Sequence, residues 1–442
     1  GVEVDANVFP GVSSEWDLGQ YNLNQGIFTT MSYNAGWASK YPNHNADHYG
    51  WQATPMALDI AAIQAIYGAN MNVKTGDTGY SLRGSNGKGT YWECIWDTGG
   101  IDEIKYGGSK DCRIDLREAP LVGKNAGGYV SYVKGVIGGF TIANGVTIEK
   151  ALGGSGDDYI KGNSADNVLS GRGGADRLKG YDGNDRLKGG SGTDKLYGGN
   201  GDDSLVMSKG KDIFNGGADT DTVVAVNSQA VRINLSITGA QKTGLGSQTF
   251  IDIENLTGGS KSDQLKGDGQ SNDLLGRKGH DKLYGGSGDD LLKGEGGNDR
   301  LYGGADDDVL LGGNGNDTLS GGTGNDVIRG GGGRDQLRGN QDADTFVFVS
   351  VADSGTGAAR DVILDFMSGT DVIDLSQIDA DGVAPGDDAF VFGGTTATAN
   401  GVWYALNGAD AIVYMDVDGD GLADSEISLL NIGALSATDF VL

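Results

Sequence analysis

The chain has 442 residues, too many for one ordinary core, so several domains or one elongated array are expected. It carries 81 glycines and a formal net charge of −28, with a pI near 4.3. That acidity excludes a general nucleic-acid binder, because phosphate contacts need a basic surface, and leaves either a solvated polyanion or a protein that takes up cations.

Residues 1–75 are the least repetitive part. The stretch "TPMALDIAAIQAIYGAN" predicts a helix, with Thr54 as N-cap, Pro55 at the first helical position and Gly68 as the stop. No apolar run is long enough to predict a transmembrane span. No signal peptide is recognisable before that helix, and the start at Gly1 suggests a processed or truncated product.

Residues 76–152 alternate like strands and form a β-rich adaptor. Cys94 and Cys112 lie there in similar stretches, "YWECIWD" and "KDCRIDL", which read as neighbouring strands. A bridge between them would contribute roughly 3 kcal/mol. The alternative is two buried thiols.

From Gly153 the texture changes. Residues 153–224 form eight nine-residue units, and residues 258–347 form ten more. Their shared pattern is Gly-Gly-x-Gly-x-Asp-x-apolar-x, seen twice over in "GGSGTDKLYGGNGDDSLV". The spacer 225–257 echoes the approach to the first block: "VRINL" parallels "CRIDL", and "IDIENLTGGSKSD" parallels "VTIEKALGGSGDD". Residues 348–442 return to strand-like patterning as a β cap ending in "SATDFVL".

Neither helix nor strand has a period of nine, so the nonad needs its own explanation. Glycines at the first, second and fourth places allow positive φ and sharp turns. The triplet around the eighth place is a short strand with one inward apolar side chain. Two nonads then make one coil of a flattened parallel solenoid, and the expected class is mainly β: a parallel β-roll in two blocks. One inward side chain per nonad is little compensation for the entropy of nine ordered residues.

The sixth-place aspartates point to what compensates. Asp158, Asp176, Asp185, Asp194, Asp203, Asp212 and Asp221 of the first block would stack in columns along the turns. So would Asp263, Asp281, Asp290, Asp299, Asp308, Asp317, Asp326, Asp335 and Asp344 of the second. Stacked carboxylates repel unless a hard cation lies between them. Ca²⁺ suits, taking several oxygens in flexible geometry, whereas Mg²⁺ demands a tighter octahedron. Multiple calcium ions are therefore expected.

The nonad resembles the RTX (repeat-in-toxin) repeat, which forms a calcium-binding parallel β-roll. The resemblance implies that turn carbonyls join the aspartates as ligands, here at Gly154, Gly156, Gly190, Gly192, Gly199, Gly201, Gly286, Gly288, Gly313, Gly315, Gly322 and Gly324. Some copies depart: Asn167 and Asn272 replace the aspartate, Lys261 and Asp219 replace the fourth glycine, and "MSKGKDIFN" lacks the opening pair. These turns are expected to hold calcium weakly or not at all, and they fall mainly at block ends. The resemblance also implies a chain kept unfolded in calcium-poor cytosol, passed through type I secretion machinery and folded outside by calcium. The terminal "DFVL" resembles the matching export signal. The implied location is secreted, extracellular or cell-surface.

"TTMSYNAGW" resembles the Met-turn of the serralysins, metzincin zinc proteases. That resemblance makes Met31 the methionine beneath a zinc site and Tyr33 a candidate zinc ligand, and makes 1–75 the C-terminal lobe of a serralysin-like α/β catalytic domain. The segments "GDTGY", "IWDTGGIDEI" and "GVTIEKALGGSGDD" resemble that family's route into its β-roll, so the likeness extends over nearly the whole chain. Serralysins also carry H-E-x-x-H, and the chain has none; its histidines are His44, His48 and His280. It is expected to start just after its own zinc site, to need Zn²⁺ only if the missing N-terminal part is present, and to be inactive as a peptidase alone. "HNADH" loosely resembles an inverted zincin motif, but Pro42, two asparagines and Gly50 favour a polar loop. His280 occupies a variable place and reads as surface. "DVDGDGLADSEI" sets Asp416, Asp418 and Asp420 at EF-hand spacing with Ile427 where the bidentate glutamate would stand, leaving an acidic turn or a further calcium site.

Two functions follow. One is an extracellular calcium-binding RTX protein derived from a serralysin-like zinc endopeptidase. The other is a non-catalytic calcium-dependent assembly protein, such as a surface-layer, adhesin or filament subunit. Expected partners are an N-terminal fragment of the same precursor or a second copy of the chain.

Overall fold

The computed structural model describes residues 56, 60–61, 73–87, 91–122, 125–226, 229–381 and 389–442. The chain divides into two compact units. The first comprises the described residues up to Asp221 together with Gly246–Asp252, and the second Thr222–Leu245 with the described residues from Ile253 to Leu442.

In the first unit each nonad contributes one strand, and successive nonads alternate between two parallel sheets. One sheet runs through Val168–Gly173, Arg186–Ser191 and Ser204–Val206. The other runs through Tyr159–Lys161, Arg177–Asp182, Lys195–Asn200 and Ile213–Ala218. Each strand pairs with the one two nonads on: Leu178 stands beside Leu196, and Leu196 beside Phe214. The apolar eighth-place residues therefore stack, and Leu169, Leu178, Leu187, Leu205 and Phe214 are fully buried. A period of nine is thus a half-coil.

The second unit repeats the plan over more coils. Leu274, Leu292, Leu310, Ile328 and Phe346 line one sheet, and Leu265, Leu283, Leu301, Leu319 and Leu337 the other, all at 0% exposure. The residues after the last nonad keep the register. Asp361–Ile363 and Val372–Asp374 pair onto the two sheets, and the terminal Phe440–Val441 pairs with Val372–Asp374. An antiparallel meander of Gly401–Asn407, Asp410–Met415 and Ser425–Leu429 completes this end. Asp439 of the terminal motif is buried, accepting hydrogen bonds from the Gly369 amide and the Ser368 hydroxyl.

Each roll is entered through the strands that the sequence echo suggested. Cys112–Asp115 pairs with Tyr159–Lys161, and Arg232–Asn234 pairs with Gln264–Lys266. Lys150–Leu152 pairs with Val168–Gly173, as Asn255–Thr257 does with Asp273–Leu275.

Cys94 and Cys112 are both buried and not bridged, which corrects the disulfide expectation. Their strands are not neighbours: the order is Cys112–Asp115, Ser131–Val133, Gly139–Ile142, Trp92–Ile95. Three steps of about 4.8 Å alone separate the two cysteines by at least about 14 Å, beyond the reach of a disulfide. Of the expected first helix only Met56, Ile60 and Ala61 are described; Ile60 and Ala61 are helical, and the Ile60 amide donates to the Met56 carbonyl. Met31, Tyr33, His44 and His48 lie outside the described residues.

Candidate metal centre

The sixth-place residues stand in columns, one at each rim of each roll. In the first unit the amide of Asp158 donates to Asp176 Oδ1 at 2.8 Å, Asp176 to Asp194 at 2.9 Å, and Asp194 to Asp212 at 2.9 Å. Along the other rim Asn167 donates to Asp185, Asp185 to Asp203, and Asp203 to Asp221. The second unit links Asp263, Asp281, Asp299, Asp317 and Asp335 in the same way, and Asn272, Asp290, Asp308, Asp326 and Asp344 along its other rim. All of these side chains are buried.

One oxygen of each carboxylate is thus occupied by a backbone N–H. The other is generally not. Oδ2 of Asp176, Asp185, Asp194, Asp203, Asp281, Asp290, Asp299, Asp308, Asp317, Asp326, Asp335 and Asp344 is buried with no hydrogen-bond partner. Buried unpaired acceptors cost free energy, so a regular series of them marks places for a ligand.

The coil ends differ. Asp158 Oδ2 accepts from the Gly154 amide and Asp263 Oδ2 from the Gly259 amide, both at 2.7 Å. Asp212 Oδ2 is met by Ser208 and Gln248. Asn167 and Asn272 close their turns with their own amides, donating to the carbonyls of Glu149 and Glu254. The open carboxylates are therefore the interior ones.

First-place glycines make the space these oxygens face. A Cβ on Gly294 would lie 2.5 Å from both Asp299 Oδ2 and the Gly312 carbonyl of the next coil. One on Gly312 would lie 2.6 Å from Asp317 Oδ2 and 2.5 Å from the Gly330 carbonyl. Only glycine leaves that volume to a carboxylate and a carbonyl. The second- and fourth-place glycines make the turns. Gly190, Gly192, Gly199, Gly201, Gly286, Gly288, Gly313, Gly315, Gly322 and Gly324 all have φ between 92° and 142°. Gly154 and Gly156 approach the preceding chain closely, at Gly108 and at Lys110. Hard, anionic and carbonyl oxygens facing a small buried space fit Ca²⁺, which accepts many oxygens without strict geometry.

Burial and neighbouring carboxylates shift these acids upward. Burial is the largest cause throughout, partly offset by the donated N–H. Asp176, Asp281, Asp290, Asp308, Asp326, Asp335 and Asp344 are pushed up to about 7, and Asp185 to about 8. Without a cation the rims favour protons, which is the electrostatic signature of a site built for positive charge.

Two features escaped the sequence reading. The columns run past the last nonad: the Asp335 amide donates to Asp361 Oδ1 at 2.7 Å, and the Asp344 amide to Asp371 Oδ1 at 3.2 Å. Asp361 is fully buried, its Oδ2 is unpaired and burial pushes its pKa up to about 8. The sequence signals were the triplet "DVI", shared by "RDVILDF" and "TDVIDLS", and Gly369 two residues before Asp371, the fourth-place spacing of the nonad. A second ladder uses the fifth place. The amide of Ala175 donates to Asp157, Asn184 to Asp166, and Asn298 to His280 Nδ1 at 2.7 Å. His280 is exposed, as expected, but it is also a rung.

The acidic turn near the C-terminus brings carboxylate oxygens of Asp416, Asp418 and Asp420 within 4.8 Å of one another. Both oxygens of the buried Asp416 already accept amides, from Gly419 and Gly421. These hydrogen bonds hold the loop as an acidic turn.

The fold and the rims define a class, the calcium-binding parallel β-roll. Comparison with known proteins agrees: four copies of the RTX calcium-binding nonapeptide repeat match within residues 250–346, and the peptidase M10 serralysin C-terminal family matches residues 57–245. The chain carries a serralysin C-terminal domain together with RTX calcium-binding repeats. Serralysin A of Dickeya chrysanthemi is 40% identical over 162 residues, covering 32% of this chain and 31% of that protein. Serralysin B of the same organism is 39% identical over 144 residues, 30% of this chain and 27% of its own length. Metallopeptidase AprA of Pseudomonas marginalis is 37% identical over 148 residues, covering 30% and 28%. The aligned part thus spans less than a third of each relative. Among solved structures, extracellular lipase LipA from Serratia marcescens aligns over 69% of this chain and 44% of its own at 16% identity and a TM-score of 0.18, too low to inform the fold.

Proposed function

We propose that this serralysin-derived calcium-binding chain exists in two states, an open polyanion inside the cell and a folded roll outside it, with type I secretion between them. The observation that supports it most is the regular series of buried, unpaired Oδ2 atoms facing glycine-made spaces. With a net charge of −28, the chain resists compaction while its carboxylates are ionised. Bound calcium supplies the positive charge that lets the carboxylates stay ionised and buried together. Asp176, Asp185, Asp194, Asp203, Asp281, Asp290, Asp299, Asp308, Asp317, Asp326, Asp335 and Asp344 would hold it, with carbonyls of the glycine turns. The binding free energy then becomes folding free energy. Zinc and peptide hydrolysis belong to the serralysin reading of Met31 and Tyr33, and this chain, with no H-E-x-x-H, is expected not to hydrolyse peptides by itself.

Circular dichroism in excess chelator against millimolar calcium tests the proposal. A strand signal that grows severalfold on calcium addition supports it. The same spectrum in both conditions would remove it.

A further inference from the structure

Although the chain is strongly acidic, one outward sheet face of the first unit is cationic and aromatic. On four consecutive strands the outward positions are Arg113; Tyr159 and Lys161; Arg177 and Lys179; Lys195 and Tyr197. The acid on this face, Asp115, is fully buried and held by Arg117 at 2.8 Å, Arg113 at 3.1 Å and, at 4.0 Å, Lys161. Among the described residues, Arg177, Lys179 and Lys195 make no ion pair.

Register makes this arrangement costly. Arg177 stands directly beside Lys195, neither of them ion-paired, and Lys179 beside Lys161, which reaches Asp115. Like charges on paired strands repel, and a chain so rich in aspartate had ample means to alternate them. The rings soften the repulsion without removing it. Tyr159 has Arg113 and Arg177 each 5.6 Å from its centroid, and Tyr197 has Arg177 at 5.2 Å and Lys179 at 5.5 Å. The same composition recurs on a face of the second unit. There Lys282 stands beside Arg300, and Tyr284 stacks on Tyr302 at 5.0 Å and 8°.

We propose that these two sheet faces bind a linear acidic polysaccharide. Cations recur at one strand spacing, about 4.8 Å, which is close to the advance of one sugar ring in an extended chain, so successive carboxylates or sulfates can meet successive strands. Tyrosine rings between the cations offer flat apolar surface to the sugar rings. A rigid nucleic-acid duplex would extend past a four-strand face onto acidic surface, whereas an oligosaccharide of a few rings need not. The proposal rests on the calcium-loaded roll being the folded state.

The test is binding of a fluorescent heparin oligosaccharide to the full chain in millimolar calcium, with neutral dextran and single-stranded DNA alongside. Expected are heparin binding that weakens as salt rises and no dextran binding. The variant Arg177→Gln/Lys195→Gln/Lys282→Gln/Arg300→Gln should lose at least about tenfold in affinity, as is usual when several anion contacts go. Arg186→Gln/Lys188→Gln, on the other sheet of the first unit, should stay within about twofold of the parent. Circular dichroism of the same samples reports the roll itself, so failure of the calcium reading shows separately from failure of this one. Unchanged heparin binding by the fourfold variant with an intact roll, equal binding of dextran, or tighter binding of DNA than of heparin would each overturn the proposal.

Discussion

At single residues the roll is governed by backbone conformation. Most turns take positive φ at the second and fourth places, and at several positions where the sequence departs from glycine the backbone still goes there: Arg172 has φ 76°, Tyr181 95°, Glu295 69° and Asp306 77°. Each such residue stores strain of about 1 kcal/mol or more. Glu295→Gly should therefore raise the stability of the calcium-loaded roll, by about 0.5–1 kcal/mol once the added freedom of the unfolded chain is counted. Gly304→Ala should do the opposite. Its φ is 137°, and a Cβ would overlap the Gly286 carbonyl, which is backbone and cannot swing away. A loss of about 3 kcal/mol is expected from strain and clash together. Thermal unfolding in fixed calcium measures both. Equal shifts for the two variants would mean that the turns do not set the stability.

Among elements, the coil is the unit that the sequence made legible and the cap is where it stopped. A strict nonad with an apolar eighth place can satisfy burial only by stacking at twice its period, so the sheets, the inward leucines and the aspartate columns all followed from the pattern. Asp361 and Asp371 did not. They sit 26 and 27 residues from Asp335 and Asp344, without the paired opening glycines of a nonad, and the paired register reveals them. Hydrogen bonding by Asp158 and Asp263 within their own turns was equally hidden, because a sixth-place aspartate looks the same whether or not an amide closes it. Strand order was the third omission. Two similar stretches suggested adjacent cysteines, yet Ser131–Val133 and Gly139–Ile142 intervene. These differences give a sharp expectation for calcium counts. Asp308→Asn, at an interior open carboxylate, should cost about one or two bound ions per chain, since neighbouring coils share the column. Asp158→Asn, whose carboxylate is already satisfied, should cost none. Asp361→Asn should behave like Asp308→Asn although it lies outside the repeats. Equilibrium calcium binding by native mass spectrometry separates the three, and a full count retained by Asp308→Asn would contradict the rim assignment.

Over the whole molecule, pH and calcium act on the same groups with opposite sign. In the calcium-free roll the rim aspartates are raised from their ordinary value near 3.8, mainly by burial and then by each other, to about 7 at Asp281, Asp308, Asp326, Asp335 and Asp344 and about 8 at Asp185 and Asp361. The folded state thus binds more protons than the unfolded one between those limits. Its stability from these groups is complete below the unfolded value and is lost as pH rises through 6 to 8. Neutralising carboxylates also relieves the self-repulsion of a chain at −28. Acidification in chelator from pH 8 to pH 5 should therefore increase strand structure, the reverse of ordinary acid denaturation. Calcium affinity should move the other way, falling over the same interval because each ion must displace protons, with release greatest between pH 6 and 8. Circular dichroism in chelator and proton release on calcium addition measure the two halves separately. A calcium-free strand signal that is flat or declines toward pH 5 would show that something other than unpaired rim carboxylates keeps the apo chain open.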